Sequence, residues 1–130
     1  MKILIVEDEA MVAMSLQFLL QVEGHHVVGT ADDVASAVAA AEADRPDLAF
    51  VDIQLAQGAS GFTVAEELRK LNIVCIFLTG NPPPRPMPEL ALGCLAKPYS
   101  DPALTAAIGV AQAVIEGAKP PPPPPGLELY

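Results

Sequence analysis

Short apolar runs recur along the chain at residues 2–6, 26–30, 48–51, 73–78 and 94–96, each bounded by polar or turn-forming residues. Runs of this length without strict alternation predict strands buried on both faces. Between them apolar residues fall at helical spacing: Val12, Leu16 and Leu19, then the Ala-rich stretch 34–43, then Val64, Leu68 and Leu71, and finally Leu104, Ile108, Ala111 and Ile115. Five strands alternating with at least four helices form the pattern of an α/β, doubly wound parallel sheet with helices on both faces. Asp32 or Asp33 can cap the second helix, and Ser100 followed by Asp101 and Pro102 suits the start of the last one.

The fourth crossover breaks this regularity, because five of the eight residues 81–88 are proline. Proline cannot donate a helical hydrogen bond and pushes the preceding residue out of the α region. The helix between strands four and five is therefore predicted to be absent, or shortened to about one turn near residues 89–92. A second proline run, 120–125, follows the last helix and predicts polyproline II with no core to join. The domain is expected to span residues 1–117, with 118–130 a proline-rich tail that serves as a linker, a docking peptide or, as the favoured reading, a disordered end.

Composition narrows the function classes. The 130 residues suffice for one domain, and a 52% hydrophobic content supplies a sizeable core. Sixteen acidic against seven basic residues leave a formal charge of −9, a field that repels phosphate backbones, so no nucleic-acid partner is expected. Glu7, Asp8 and Glu9 interrupt the first apolar run at once, excluding a signal peptide or membrane span, and a soluble cytoplasmic protein is expected. Cys75 and Cys94 lie in apolar stretches and read as reduced core thiols. His25 and His26 sit in the turn entering the second strand and read as loop residues rather than a metal site.

In a doubly wound sheet, functional groups collect beyond the carboxyl ends of the strands. Glu7 and Asp8 follow strand one, Asp52 strand three, Thr79 strand four and Lys97 strand five. Any one of these could be a solvated loop residue. In a sheet ordered 2-1-3-4-5, however, strands one, three, four and five are contiguous and these residues converge on one crevice. Three carboxylates about 4 Å apart repel by about 4 kcal/mol per pair at an effective dielectric near 20, so a cation must offset them or a proton be taken up. A hard divalent ion suits such oxygens; Mg2+ is typically held by one or two carboxylates and a substrate phosphate. Asp52 could then act as a nucleophile towards phosphorus, with Lys97 and the Thr79 hydroxyl compensating charge on the phosphoryl oxygens.

The Lys-Ile-Leu-Ile-Val-Glu-Asp-Glu opening, Val51-Asp52-Ile53-Gln54-Leu55 with Gly61 after it, Phe77-Leu78-Thr79-Gly80 and Lys97-Pro98-Tyr99 together resemble response-regulator receiver domains of two-component systems. The match runs from residue 2 to about 117 in the family's order and spacing. The resemblance implies a flavodoxin-like fold and a Mg2+ (or Mn2+) ion held by Asp8, the Asp52 carboxylate and the Gln54 backbone carbonyl, with Glu7 reaching it through water. It further implies that Asp52 takes phosphate from a sensor histidine kinase or histidine phosphotransfer protein in a reaction the domain itself assists, that Lys97 pairs with the phosphoryl group, and that Thr79 moves to bind it. Gln54 and Asn81 correspond to positions that tune phosphate lifetime. The downstream protein is not implied.

Two features depart from the common receiver pattern. The aromatic usual three residues before the lysine is Cys94 in this chain, and the fourth crossover is proline-rich. Together with Phe77-Leu78-Thr79-Gly80 they resemble the stand-alone FAT GUY receivers, whose motif has Ala at the place of Leu78. With no aromatic on strand five, the movement of Thr79 is expected to be absorbed by the loop 81–88.

Other classes fit less well. A binding-only pseudo-receiver would not need Glu7, Asp8, Asp52, Thr79 and Lys97 together. A phosphatase of the haloacid dehalogenase type needs an Asp-x-Asp pair after strand one, where this chain reads Glu7-Asp8-Glu9. Gly58, Ser60 and Gly61 form no GxxxxGK[ST] loop, and no phosphate loop follows strand one, as a flavodoxin would require.

Overall fold

The computed structural model of the protein describes residues 1–55 and 60–130; Gly58 lies outside the described residues. The elements run β1 (Lys2–Val6), α1 (Ala10–Val22), β2 (His26–Ala31), α2 (Val34–Ala43), β3 (Leu48–Asp52), α3 (Gly61–Lys70), β4 (Val74–Thr79), β5 (Gly93–Ala96), α4 (Asp101–Ile115) and β6 (Leu127–Leu129). The strands form one sheet in the order β2-β1-β3-β4-β5-β6. The first five are parallel in the expected order, and β6 adds antiparallel to the outer edge of β5.

Alternation along each strand divides the core in two. Leu4, Val6, Ala49 and Val51 face α2 and α3, where Ala37, Ala41, Val64, Ala65 and Leu68 are buried. Ile3, Ile5, Leu48 and Phe50 face α1 and α4, meeting Leu16, Leu20, Leu104, Ile108 and Ala111. Both faces of the central strands β1, β3 and β4 are covered, which is why their sequences read as continuous apolar runs, while the edge strand β2 is only partly buried. Asp33 caps α2, accepting from the Ser36 amide at 2.8 Å, while the Ser36 hydroxyl receives the Asp33 amide at 3.2 Å. Ser100 accepts from the Ala103 amide at the start of α4, with Pro102 in its first turn.

Among the described residues no helix joins β4 to β5. Only a turn is formed, closed by the Leu90 and Ala91 amides donating to the Met87 carbonyl. Two expectations are corrected. The face of α1 that enters the core is Ala13, Leu16 and Leu20, with Val12 and Leu19 at its margins. The tail does not end in disorder: Leu127, Glu128 and Leu129 pair with Leu95, Cys94 and Gly93, because the prolines give way to an alternating Leu-Glu-Leu that suits the half-buried edge of a sheet. No helix is long and apolar enough to cross a membrane among the described residues. Cys75 and Cys94 are buried free thiols, and burial pushes Cys75 up to about 12.

Candidate functional site

Strand register assembles the site. Val6 is abreast of Val51, Val51 of Phe77 and Phe77 of Cys94. One residue further on, Glu7 and Asp52 stand at the same level; Thr79 pairs with Ala96, and Lys97 follows directly. Residues far apart in sequence therefore meet at the carboxyl edge. Carboxylate oxygens of Glu7, Asp8 and Asp52 all lie within 4.8 Å of one another.

Lys97 Nζ lies 3.1 Å from Glu7 Oε1 and 3.3 Å from Asp52 Oδ2. The other Asp52 oxygen, Oδ1, accepts the Gln54 amide at 3.0 Å, and Glu7 Oε2 accepts the Glu9 amide at 3.3 Å. Each acid is thus held by a backbone N–H on one oxygen and offers the other to the crevice. Glu7 is pushed up to about 7, first by burial and next by the neighbouring Asp52 carboxylate, against the opposing pull of Lys97 and the Glu9 amide. Burial works to lower Lys97, but its hydrogen bond to Glu7 and the charges of Asp52 and Glu7 outweigh it and hold the lysine above its usual range.

Gly61 supports the loop that follows Asp52. Its amide donates to the Ile53 carbonyl at 2.9 Å, and a Cβ there would sit 2.2 Å from the Asp52 carbonyl oxygen and 2.6 Å from Ile53 Cα. No side chain fits, so glycine is what lets α3 begin against the backbone of the Asp52 turn. Phe62, next along, packs edge-on to Phe77 with centroids 5.4 Å apart.

Thr79 is at the crevice but faces its own loop: its hydroxyl donates to the Asn81 carbonyl at 3.2 Å and accepts the Asn81 amide at 3.0 Å. Gln54 contributes its backbone to the Asp52 turn. His25 and His26 lie away from the crevice, His26 near Asp44 and His25 beside the amino terminus.

The donor set suits a hard divalent cation: three carboxylates, two following β1 and one at the end of β3, all-oxygen and partly buried. The response-regulator receiver domain profile matches residues 3–109. The chain is 38% identical over 117 residues to the phyllosphere-induced regulator PhyR of Methylorubrum extorquens, a match covering 85% of this chain and 43% of that protein. It is 34% identical over 115 residues to the transcriptional regulatory protein PdtaR of Mycobacterium tuberculosis, covering 85% and 56%. Among solved structures, the receiver domain of Erythrobacter litoralis PhyR superposes with a TM-score of 0.74 at 29% identity, covering 95% of both chains. The chain belongs to the response-regulator receiver family. It spans about half the length of the curated relatives it matches.

Sequence reasoning named the six crevice residues but not the backbone amides of Gln54 and Glu9 that orient the acids. Backbone donors carry no residue signature. It also passed over a second apolar stripe on α1, where Met11, Met14, Phe18 and Val22 are 76, 63, 70 and 67% exposed.

Proposed function

We propose that residues 1–117 form a phosphoacceptor unit in which Asp52 receives a phosphoryl group from a sensor histidine kinase or histidine phosphotransfer protein, and that the chain signals by protein contact or drains phosphate from its kinase. The observation that carries this reading is the set of distances joining Asp52 to Lys97 and to the carboxylates of Glu7 and Asp8.

In the reaction, an Asp52 oxygen forms a bond to phosphorus while the bond from phosphorus to the donor imidazole breaks, and the departing imidazole nitrogen takes up a proton. Asp8, the Asp52 carboxylate and the Gln54 carbonyl would hold a Mg2+ or Mn2+ ion, with Glu7 reaching it through water. When bound, the ion neutralises charge on the phosphoryl oxygens. Lys97, poised between Glu7 and Asp52, turns its ammonium to pair with the phosphoryl oxygens, and Thr79 turns from Asn81 to donate its hydroxyl. The same groups, placed around an acyl phosphate, assist its hydrolysis by water.

The exposed stripe of α1 supports a partner presenting apolar helices. Met11, Met14, Phe18 and Val22 recur at helical spacing on the helix that starts beside the crevice. Buried thiols and the acidic surface fit a cytoplasmic setting.

The test is intact-mass analysis after treatment with acetyl phosphate and Mg2+. One added phosphate is expected on the native chain and none on Asp52→Asn. Absence of label on the native chain would favour a binding-only module instead, and labelling of Asp52→Asn would place the acceptor elsewhere.

A further inference from the structure

The outer edge of β5 is covered by the chain's own end. The Ala96 amide donates to the Gly126 carbonyl at 2.9 Å at one end of the ladder, and the Tyr130 amide donates to the Leu92 carbonyl at 2.9 Å at the other. Gly93 makes this approach possible, since a Cβ there would lie 2.4 Å from the Glu128 carbonyl oxygen. The segment also grips both sides of the sheet. Leu127 is buried with Leu95, Leu104 and Ile108 on the α4 face, and Tyr130 packs on the opposite core beside Cys94. Tyr130 also walls a cleft of about 320 Å³ with Pro88, Leu90 and Leu92 of the proline-rich crossover.

The fit is close yet incomplete. The Tyr130 hydroxyl is buried near enough to the Cys94 thiol for each to perturb the other, but it has no hydrogen-bond partner of normal geometry. An unsatisfied buried hydroxyl opposes docking, so the tail is held with less than the affinity its apolar contacts would allow. The strand beneath it ends in the crevice. Ala96 pairs with both Thr79 and the Gly126 carbonyl, and the next residue, Lys97, donates its amide to the Thr79 carbonyl at 2.8 Å and its ammonium to Glu7 and Asp52.

We propose that the β5 edge is a strand-docking surface whose occupant is the C-terminal segment 126–130, and that Lys97 and Ala96 link this docking to occupancy of the crevice. The link rests on the reading of Asp52 as phosphoacceptor; the docking surface does not. The movement of Thr79 is then not confined to the loop 81–88: through the Lys97 amide held by the Thr79 carbonyl, drawing Lys97 and Thr79 toward a phosphoryl group pulls the end of β5 toward β4 and away from Gly126, so crevice occupancy releases the tail. Tyr130 leaves with it, opening the core beside Cys94, and the freed edge is left able to pair with another extended chain.

Amide exchange on the full chain tests both parts, read at Ala96 and Tyr130. Both amides are expected to be protected in the native chain and to lose protection at least tenfold in Leu127→Asp and in Gly93→Val, while Ile5 and Phe50 stay protected. A peptide of residues 120–130, added at millimolar concentration to Leu127→Asp, is expected to restore protection at Ala96. Unprotected Ala96 and Tyr130 in the native chain, or a peptide without effect, would overturn the docking surface. Beryllofluoride with Mg2+ is expected to lower protection at both amides in the native chain by about fivefold or more, the range of an ordinary coupling between sites. If the amides of Gln54 and Lys97 respond while Ala96 and Tyr130 do not, the link fails and the phosphoacceptor reading stands. If no amide responds, both fall and only the docking surface survives.

Discussion

Lys97 and Glu7, ninety positions apart, form an ion pair of 3.1 Å in which the carboxylate is almost wholly buried and the ammonium mostly so. The pair exists because β5 and β1 end at the same edge of the sheet, with β3 and β4 between them. It leaves Glu7 half-compensated, raised to about 7 from an ordinary value of 4.5.

That shift sets a pH dependence. A carboxyl whose pKa is higher folded than unfolded binds its proton more tightly in the folded state, so its contribution to stability is complete below about 4.5 and is lost as pH rises through about 7. With a chelator present, the stability of the native chain relative to Glu7→Gln is therefore expected to fall between these pH values. Paired denaturant titrations at pH 5 and pH 8 check it; an unchanged difference would mean that Glu7 titrates normally.

Magnesium is expected to stabilise the fold, since a ligand bound only by the folded state contributes RT ln(1 + [L]/Kd), about 2.7 kcal/mol at a hundred times Kd. Asp8→Ala removes one of the three clustered carboxylates and is expected to lose most of the shift. Thermal melts with and without Mg2+ measure it, and an equal shift in both proteins would exclude Asp8 as a ligand.

Phe18→Asp is expected to separate partner recognition from chemistry. Phe18 is 70% exposed, so the change leaves the core intact. Loss of an aromatic interface anchor is typically worth about 2 kcal/mol, enough to slow transfer from a partner kinase by more than about tenfold. Labelling by acetyl phosphate should stay at the native rate, and an equal fall in both reactions would refute the role of the stripe.

Gly61→Ala is expected to destabilise the protein by about 1–3 kcal/mol, the usual cost of forcing a methyl group into filled space. The added carbon would lie 2.2 Å from the Asp52 carbonyl oxygen, so the Asp52 turn must shift with it. Both the denaturation midpoint and the acetyl phosphate labelling rate should fall. A variant of native stability and rate would show that the turn can yield without cost.

What the linear sequence determined follows from local rules. Uninterrupted apolar runs mark strands covered on both faces, Asp33 and Ser100 mark helix starts, and prolines in the loop 81–88 forbid the helix a regular crossover would contain. Once alternation implied a doubly wound sheet, the polar residues after four of its strands had only one edge at which to gather. Packing decided the rest. Helix α1 is apolar on nearly every side, so spacing could not tell whether Leu19 or Leu20 faces the core or that Phe18 faces solvent; only the angle at which the helix meets the sheet settles that. The fate of the tail was equally hidden. Three residues of Leu-Glu-Leu are too few to signal a strand, and what holds them is the bare backbone of Gly93, a residue whose value appears only when another strand lies against it.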